Sequence, residues 1–120
     1  MASSYPTPQD GAGDVVAGRY MRERACVVAL RGEIDIECEE DVRHALDTAC
    51  TSADRVVVDL SEVTFADSTA LGLLLHARTR SDLRLAGPLA PAVARLLSIS
   101  GTTGFLPARR SVEEALAAPT

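Results

Sequence analysis

Apolar positions along this chain follow two habits, short unbroken runs and a three- to four-residue periodicity, and the two alternate. Ala25-Cys26-Val27-Val28-Ala29-Leu30 is apolar without interruption, and Val56-Val57-Val58 repeats the pattern with β-branched residues. Both runs predict strands buried on two faces, the second in a central parallel position. After the first run, Gly32-Glu33-Ile34-Asp35 turns the chain toward a helix. There Cys38, Val42, Ala45, Leu46, Ala49, Cys50 and Ala53 recur at helical spacing, which marks one inward stripe. Glu37, Glu39, Glu40 and Asp41 crowd the first turn, where the helix dipole favours acids. After the second run, a short polar link leads to Asp67-Ser68-Thr69 and a helix whose opening, Ala70 to Leu75, is apolar nearly all round. Leu83-Arg84-Leu85-Ala86 then alternates, which turns Leu83 and Leu85 toward the helices and Arg84 toward the other face. Gly87-Pro88 ends that strand. Pro91 opens a third helix with Val93, Leu96 and Leu97 inward and Gly101 as its stop. Phe105-Leu106 reads as a short last strand, and Ser111-Val112-Glu113-Glu114 as a capping box before a fourth helix. Upstream, Val15 to Tyr20 reads as a first edge strand, with Arg19 to Arg24 pairing antiparallel to the run behind it.

Strands alternating with helices through right-handed crossovers predict an α/β fold. Its sheet is mixed but rich in parallel pairs, with an N-terminal antiparallel edge strand. Residues 1–14 are rich in Ser, Pro, Gly and Ala and read as a disordered tail, leaving residues 15–120 as one domain.

Composition narrows the chemistry. Aromatic residues are 3% with no Trp, so the core is aliphatic and no stacking platform for single-stranded nucleic acid exists. A net charge of −5 argues against a phosphate-backbone partner, which needs a basic patch. The three cysteines, Cys26, Cys38 and Cys50, are odd in number and lack metal-site spacing. They suggest neither a disulfide framework nor a zinc site, and Cys38 and Cys50 fall on the core stripe. With no leader pattern and no apolar run of membrane-spanning length, the chain reads as cytoplasmic and soluble, without membrane insertion.

Candidate chemistry gathers at the start of the second helix. Asp67 is a natural N-cap, since its carboxylate can accept bonds from first-turn amides. Ser68 then sits at the positive end of the dipole, where an added anion is stabilised. The ordinary role for such a serine is local hydrogen bonding; the functional alternatives are a phosphoacceptor or a nucleophile. A nucleophile elbow wants Gly-x-Ser-x-Gly, but here Ala66 and Ala70 flank the serine. A base is also required, yet His44 and His76 lie mid-helix among charged residues and read as solvent-facing. No catalytic residue, metal or cofactor is therefore expected. Asp35 reads as a turn residue or helix cap, and Asp59 as the cap of a strand end.

The stretch from Val56 to Leu75 also resembles the signature of STAS domains of the anti-sigma-factor-antagonist type. That signature is a strand ending in Asp-Leu-Ser, here Asp59-Leu60-Ser61, followed by Val63-Thr64-Phe65-Ala66-Asp67-Ser68-Thr69-Ala70-Leu71. The likeness extends to Leu30–Asp35 and Val93–Gly101 and covers roughly residues 24–118. Two positions depart from the family pattern: Ala70, where it usually has Gly, and Ala66, where it usually has a larger apolar residue. The resemblance implies strands in sequential order and about four helices on one face. It implies that Ser68 is a phosphoacceptor, with Thr69 as a second hydroxyl. Asp67, Asp35, Ala70 and Leu71 would share the recognition surface, and Glu33 is a weaker member. The implied function is an anti-sigma factor antagonist, active when unphosphorylated. Its implied partners are an anti-sigma factor that is itself a serine kinase and a separate serine phosphatase. The alternative is a STAS interaction module of a different signalling or transport complex.

Overall fold

The computed structural model describes residues 15–102 and 104–119. The elements run β1 (Val16–Arg22), β2 (Ala25–Ile34), a single 3-10 turn (Ile36–Cys38), α1 (Glu39–Ser52), β3 (Arg55–Ala66) and α2 (Ser68–Arg80). Next come β4 (Asp82–Ala86), α3 (Pro91–Ile99), β5 (Ala108–Arg109) and α4 (Val112–Ala117). The sheet order is β1-β2-β3-β4-β5, with β1 antiparallel to β2 and every other pair parallel. This is the mixed, parallel-rich sheet with an antiparallel edge that the strand pattern predicts. The expected tail, residues 1–14, lies outside the described residues.

Strand alternation divides the apolar residues between two faces. Cys26, Val28 and Leu30 of β2, with Val56 and Val58 of β3, face the main core beneath α1, α2 and α3. Val42, Leu46 and Ala49 of α1 lie fully within it, as the stripe predicts, whereas Cys50 is only half-buried. Ala25, Val27, Val57 and Ala86 face the other way and form a smaller core with Ala115 and Leu116 of α4. The helices therefore do not all gather on one face: three cover one side and α4 covers the other. Arg84 is the reason α4 can stay there. Its side chain is 6% exposed and grips the Asp82 carboxylate through two nitrogens, at 3.0 and 3.3 Å. It also donates to the carbonyls of Ala115, at 2.8 Å, and Ala118. Arg55 adds a bond to Leu116 O at 3.2 Å. The last carbonyls of a helix lack internal partners, and these two arginines supply them.

Five local expectations change. The chain does not turn at Gly32, because β2 continues to Ile34, and the polar link after Asp59 is the second half of β3. The two extensions pair with each other, Gly32 with Val63, Glu33 with Phe65 and Ile34 with Ala66. The register shifts between Gly32 and Glu33, and Gly32 has φ +78°, a conformation glycine adopts without strain. Asp59 accordingly accepts from Ser61 N at 3.0 Å inside the strand instead of closing it. Phe105-Leu106 is a turn, with both amides donating to Thr102 O, and the last strand is Ala108–Arg109. At α4, Ser111 Oγ accepts from Glu114 N as expected, but Glu114 returns its bond to Arg110 N, one residue earlier.

Candidate functional site

Two strand-to-helix turns lie side by side at one end of the sheet. Ile34 and Ala66 pair at the ends of β2 and β3, and the next residues are Asp35 and Asp67. Asp67 N donates to Ile34 O at 3.2 Å, the final rung between the two segments. Both aspartates have extended backbones, and each caps the helical turn directly behind it. Asp67 Oδ1 accepts from Thr69 N at 2.9 Å and from Ala70 N at 3.2 Å, so two first-turn amides of α2 are satisfied by one carboxylate. Asp35 Oδ1 accepts from Glu37 N at 3.0 Å, and its side chain closes a capping box with the Cys38 amide. Its second tie is Cys38, whose thiol accepts from Asp35 N at 3.3 Å and donates to Asp35 O at 3.2 Å. Burial pushes the Cys38 thiol above its ordinary value, so it stays protonated and serves as a donor rather than a nucleophile. Asp35 and Asp67 are thus brought together as expected, on adjacent turns.

Ser68 is the first residue of α2 and is exposed. Its hydroxyl makes no hydrogen bond with any described residue, so no histidine or carboxylate is set against it. Thr69 is half-buried and Leu71 half-buried against the main core. Ala70 departs from the surface expected for it. It is 4% exposed and belongs to the core, so its methyl is turned inward, away from anything that approaches Ser68. Ala66 and Ala70, the two departures from the family signature, both line one small apolar pocket of about 20 Å³ beneath α2 and α3. Glu33 is exposed one residue before Ile34, and His44 and His76 are exposed on their helices.

The sequence pattern gave no expectation of a groove beside this turn. It is open, holds about 540 Å³, and runs between the end of β3 and α3, with Phe65, Asp67, Arg95, Leu96 and Ile99 on its walls. Phe65 is 44% exposed and Ile99 77% exposed. A signal was present: Ile99 is an apolar residue off the inward stripe of α3, and Phe65 is one of two phenylalanines in a chain with few aromatics. Among the described residues, no helix is long and apolar enough to cross a membrane.

This geometry sits in a recognisable family. The family model described as "Mlab, STAS domain" matches residues 18–107. The chain belongs to the STAS domain family. A STAS-domain-containing protein of Pseudomonas aeruginosa (strain UCBPP-PA14) is 33% identical over 78 residues, which span 61% of this chain and 76% of that protein. Among solved structures, an anti-sigma factor antagonist from Mycobacterium paratuberculosis superposes with a TM-score of 0.75 at 23% identity, over 82% of this chain and 87% of its own. The anti-sigma factor antagonist SpoIIAA in its unphosphorylated form superposes with a TM-score of 0.69 at 23% identity, over 82% of this chain and 91% of its own. The phosphorylated form of Bacillus SpoIIAA gives 0.63 at 21% identity, over 82% of this chain and 95% of its own. At these identities the likeness is one of fold, and it extends over nearly the whole STAS domain.

Proposed function

We propose that this STAS domain is an anti-sigma factor antagonist whose binding is controlled by phosphorylation at Ser68. In its unphosphorylated form it binds an anti-sigma factor in the cytoplasm and frees a sigma factor for transcription. That anti-sigma factor, acting as an ATP-dependent serine kinase, phosphorylates Ser68 and ends the interaction; a serine phosphatase resets it. Asp67, Asp35, Thr69 and Leu71 form the surrounding recognition surface. The observation that carries this reading is Ser68 itself, an exposed and unengaged hydroxyl at the start of a helix whose capping carboxylate is the adjacent residue. A kinase can reach it without unfolding anything. The existence of phosphorylated and unphosphorylated forms of SpoIIAA, a protein of the same fold, supports the reading.

The switch acts at the surface. A phosphate adds about −1.5 to −2 charges at neutral pH. The helix N-terminus offsets part of that by roughly 0.3–2 kcal/mol, so the domain stays folded. A partner carboxylate about 5 Å away is repelled by roughly 3 kcal/mol per unit charge at an effective dielectric near 20, before screening. Since each 1.4 kcal/mol is about tenfold, binding weakens by two decades or more. The test is incubation with ATP and the candidate anti-sigma kinase, read by intact mass and peptide mapping. One phosphate on Ser68, none on Ser68→Ala, and at least tenfold weaker binding with unchanged circular dichroism are expected. Stoichiometric phosphate on Ser68→Ala, or full binding after phosphorylation, overturns the reading.

A second reading keeps the STAS domain but changes its complex. The matching family model carries the description "Mlab" rather than that of an anti-sigma factor antagonist, and Ala70 departs from the antagonist signature. A module of another signalling or transport assembly would bind its partner with no sigma factor present, which a pull-down against the candidate kinase separates.

A further inference from the structure

We propose that the groove between β3 and α3 is the seat for an apolar segment of the partner that carries a carboxylate, and that Arg95 recognises that carboxylate. This rests on the functional reading above for the partner's role, but the groove itself is argued from its walls. Phe65, Leu96 and Ile99 make it apolar, and two of the exposed large hydrophobic residues of the described chain lie on it. Isolated exposed apolar residues are ordinary, whereas adjacent ones walling a concavity of several hundred Å³ fit a bound segment.

Arg95 decides the partner's charge. Many arginines here are engaged: Arg22 with Glu113, Arg43 with Glu39 and Glu40, Arg55 and Arg84 with Asp82, Arg78 with Phe105 O, Arg80 with Asp47, Arg110 with Glu114. Arg95 makes no ion pair or hydrogen bond with any described residue. The carboxylate nearest to it on the groove wall, Asp67, is committed to two α2 amides at 2.9 and 3.2 Å. An unpaired guanidinium on an apolar wall is complementary to a carboxylate between apolar side chains, because its planar fork matches that group. A lysine-bearing segment finds only Asp67 there, already used as a cap.

The placement also links the groove to Ser68. Asp67 is on the wall, and Ser68 is the next residue, exposed at the start of α2. A phosphate next to Asp67 repels the incoming carboxylate, so one modification weakens the pairing on which docking depends.

The test uses the full chain, labelled with nitrogen-15 and titrated with two synthetic peptides of one apolar pattern. One peptide carries Glu and the other Lys at the intervening positions. Amide shifts at Phe65, Ala92, Arg95 and Ile99 are expected with the Glu peptide, with a dissociation constant at least about tenfold tighter than the Lys peptide's at this site. Arg95→Glu weakens the Glu peptide by about tenfold, the scale of one arginine anchor. Arg110→Glu, a residue that does not line the groove, changes it less than twofold. Phosphoserine installed at position 68 weakens it by a similar decade. Shifts confined to another surface, no binding at all, equal or tighter groove binding of the Lys peptide, or an unaltered affinity in Arg95→Glu overturns the proposal. Concentration-dependent shifts at the same amides without peptide, with a dimer by sedimentation, assign the groove to a second copy of the chain and overturn it too. The kinase experiment stands apart: groove binding without phosphorylation of Ser68 sinks only the functional reading, and a working switch with a silent groove sinks only this one.

Discussion

The two faces of the sheet are held by different physics. On the broad face, α1, α2 and α3 cover β2, β3 and β4 chiefly through apolar contact, with Leu46, Val56, Val58 and Leu85 almost wholly removed from water. On the narrow face, one six-residue helix, α4, rests on Ala25, Val27, Val57 and Ala86. Alanine buries little area, so apolar burial there is small. What adds to it is directional: the fork of Arg84 on Asp82 and the bonds from Arg84 and Arg55 to carbonyls at the end of α4. Apolar contact tolerates rearrangement and does not depend on pH. A buried guanidinium network is the opposite, because each member left alone is costly.

That contrast can be broken at several places. Leu46→Ala on the broad face leaves a cavity in the aliphatic core and is expected to cost about 2–5 kcal/mol, read as a large fall in the urea midpoint. An unchanged midpoint would show that this helix face is not packed as described. Arg84→Met on the narrow face removes the charge while keeping much of the side-chain volume. It is expected to cost about 2–3 kcal/mol, because Ala115 and Ala118 lose their donor and Asp82 loses its fork. Amide exchange in α4 should quicken more than in α1; equal protection of both would place the stabilisation of α4 elsewhere.

The pH dependence separates the faces further. Burial alone would raise the Asp82 carboxyl, but hydrogen bonds from Arg84 and Arg55 hold it below its ordinary value of 3.8. A carboxyl whose folded value is depressed contributes stability above its unfolded value, and that contribution is lost as pH falls through the folded one. Asp82→Asn should therefore melt lower than the parent near neutral pH, with the gap closing below about pH 4. The gap for Leu46→Ala should stay nearly constant over the same range. Parallel behaviour of the two variants would remove the electrostatic account of α4.

The smaller effects lie at the paired turns. Asp67→Ala is expected to cost about 1 kcal/mol, and more than Asp35→Ala, since Asp67 caps the thirteen-residue α2 whereas Asp35 caps a single 3-10 turn that Cys38 also ties. The reverse order would mean that Cys38 contributes less to the first turn than its two bonds suggest. Ser68→Ala should change stability by less than about 0.5 kcal/mol, because its hydroxyl is exposed and unbonded, while phosphate incorporation disappears.

Much of this protein comes from local rules that a sequence states directly. Asp67 caps α2 because a carboxylate before a first turn has amides within reach whatever surrounds it. The α1 stripe from Cys38 to Ala49 is buried because helical spacing puts those residues on one side. Pro91 and Gly101 bound α3 for reasons confined to their own backbones. Tertiary structure decided the rest, where the choice depended on what arrived from elsewhere. The second half of β3 is a strand because β2 is beside it to pair, and Ala108–Arg109 is a strand because β4 offers it an edge. Ala70 turns inward although its place in the signature suggested a surface. The side taken by α4 rested on Arg84 finding two carbonyls distant in sequence. The groove at Arg95 exists only because α3 settles against the end of β3, and a space between elements has no residue of its own to announce it.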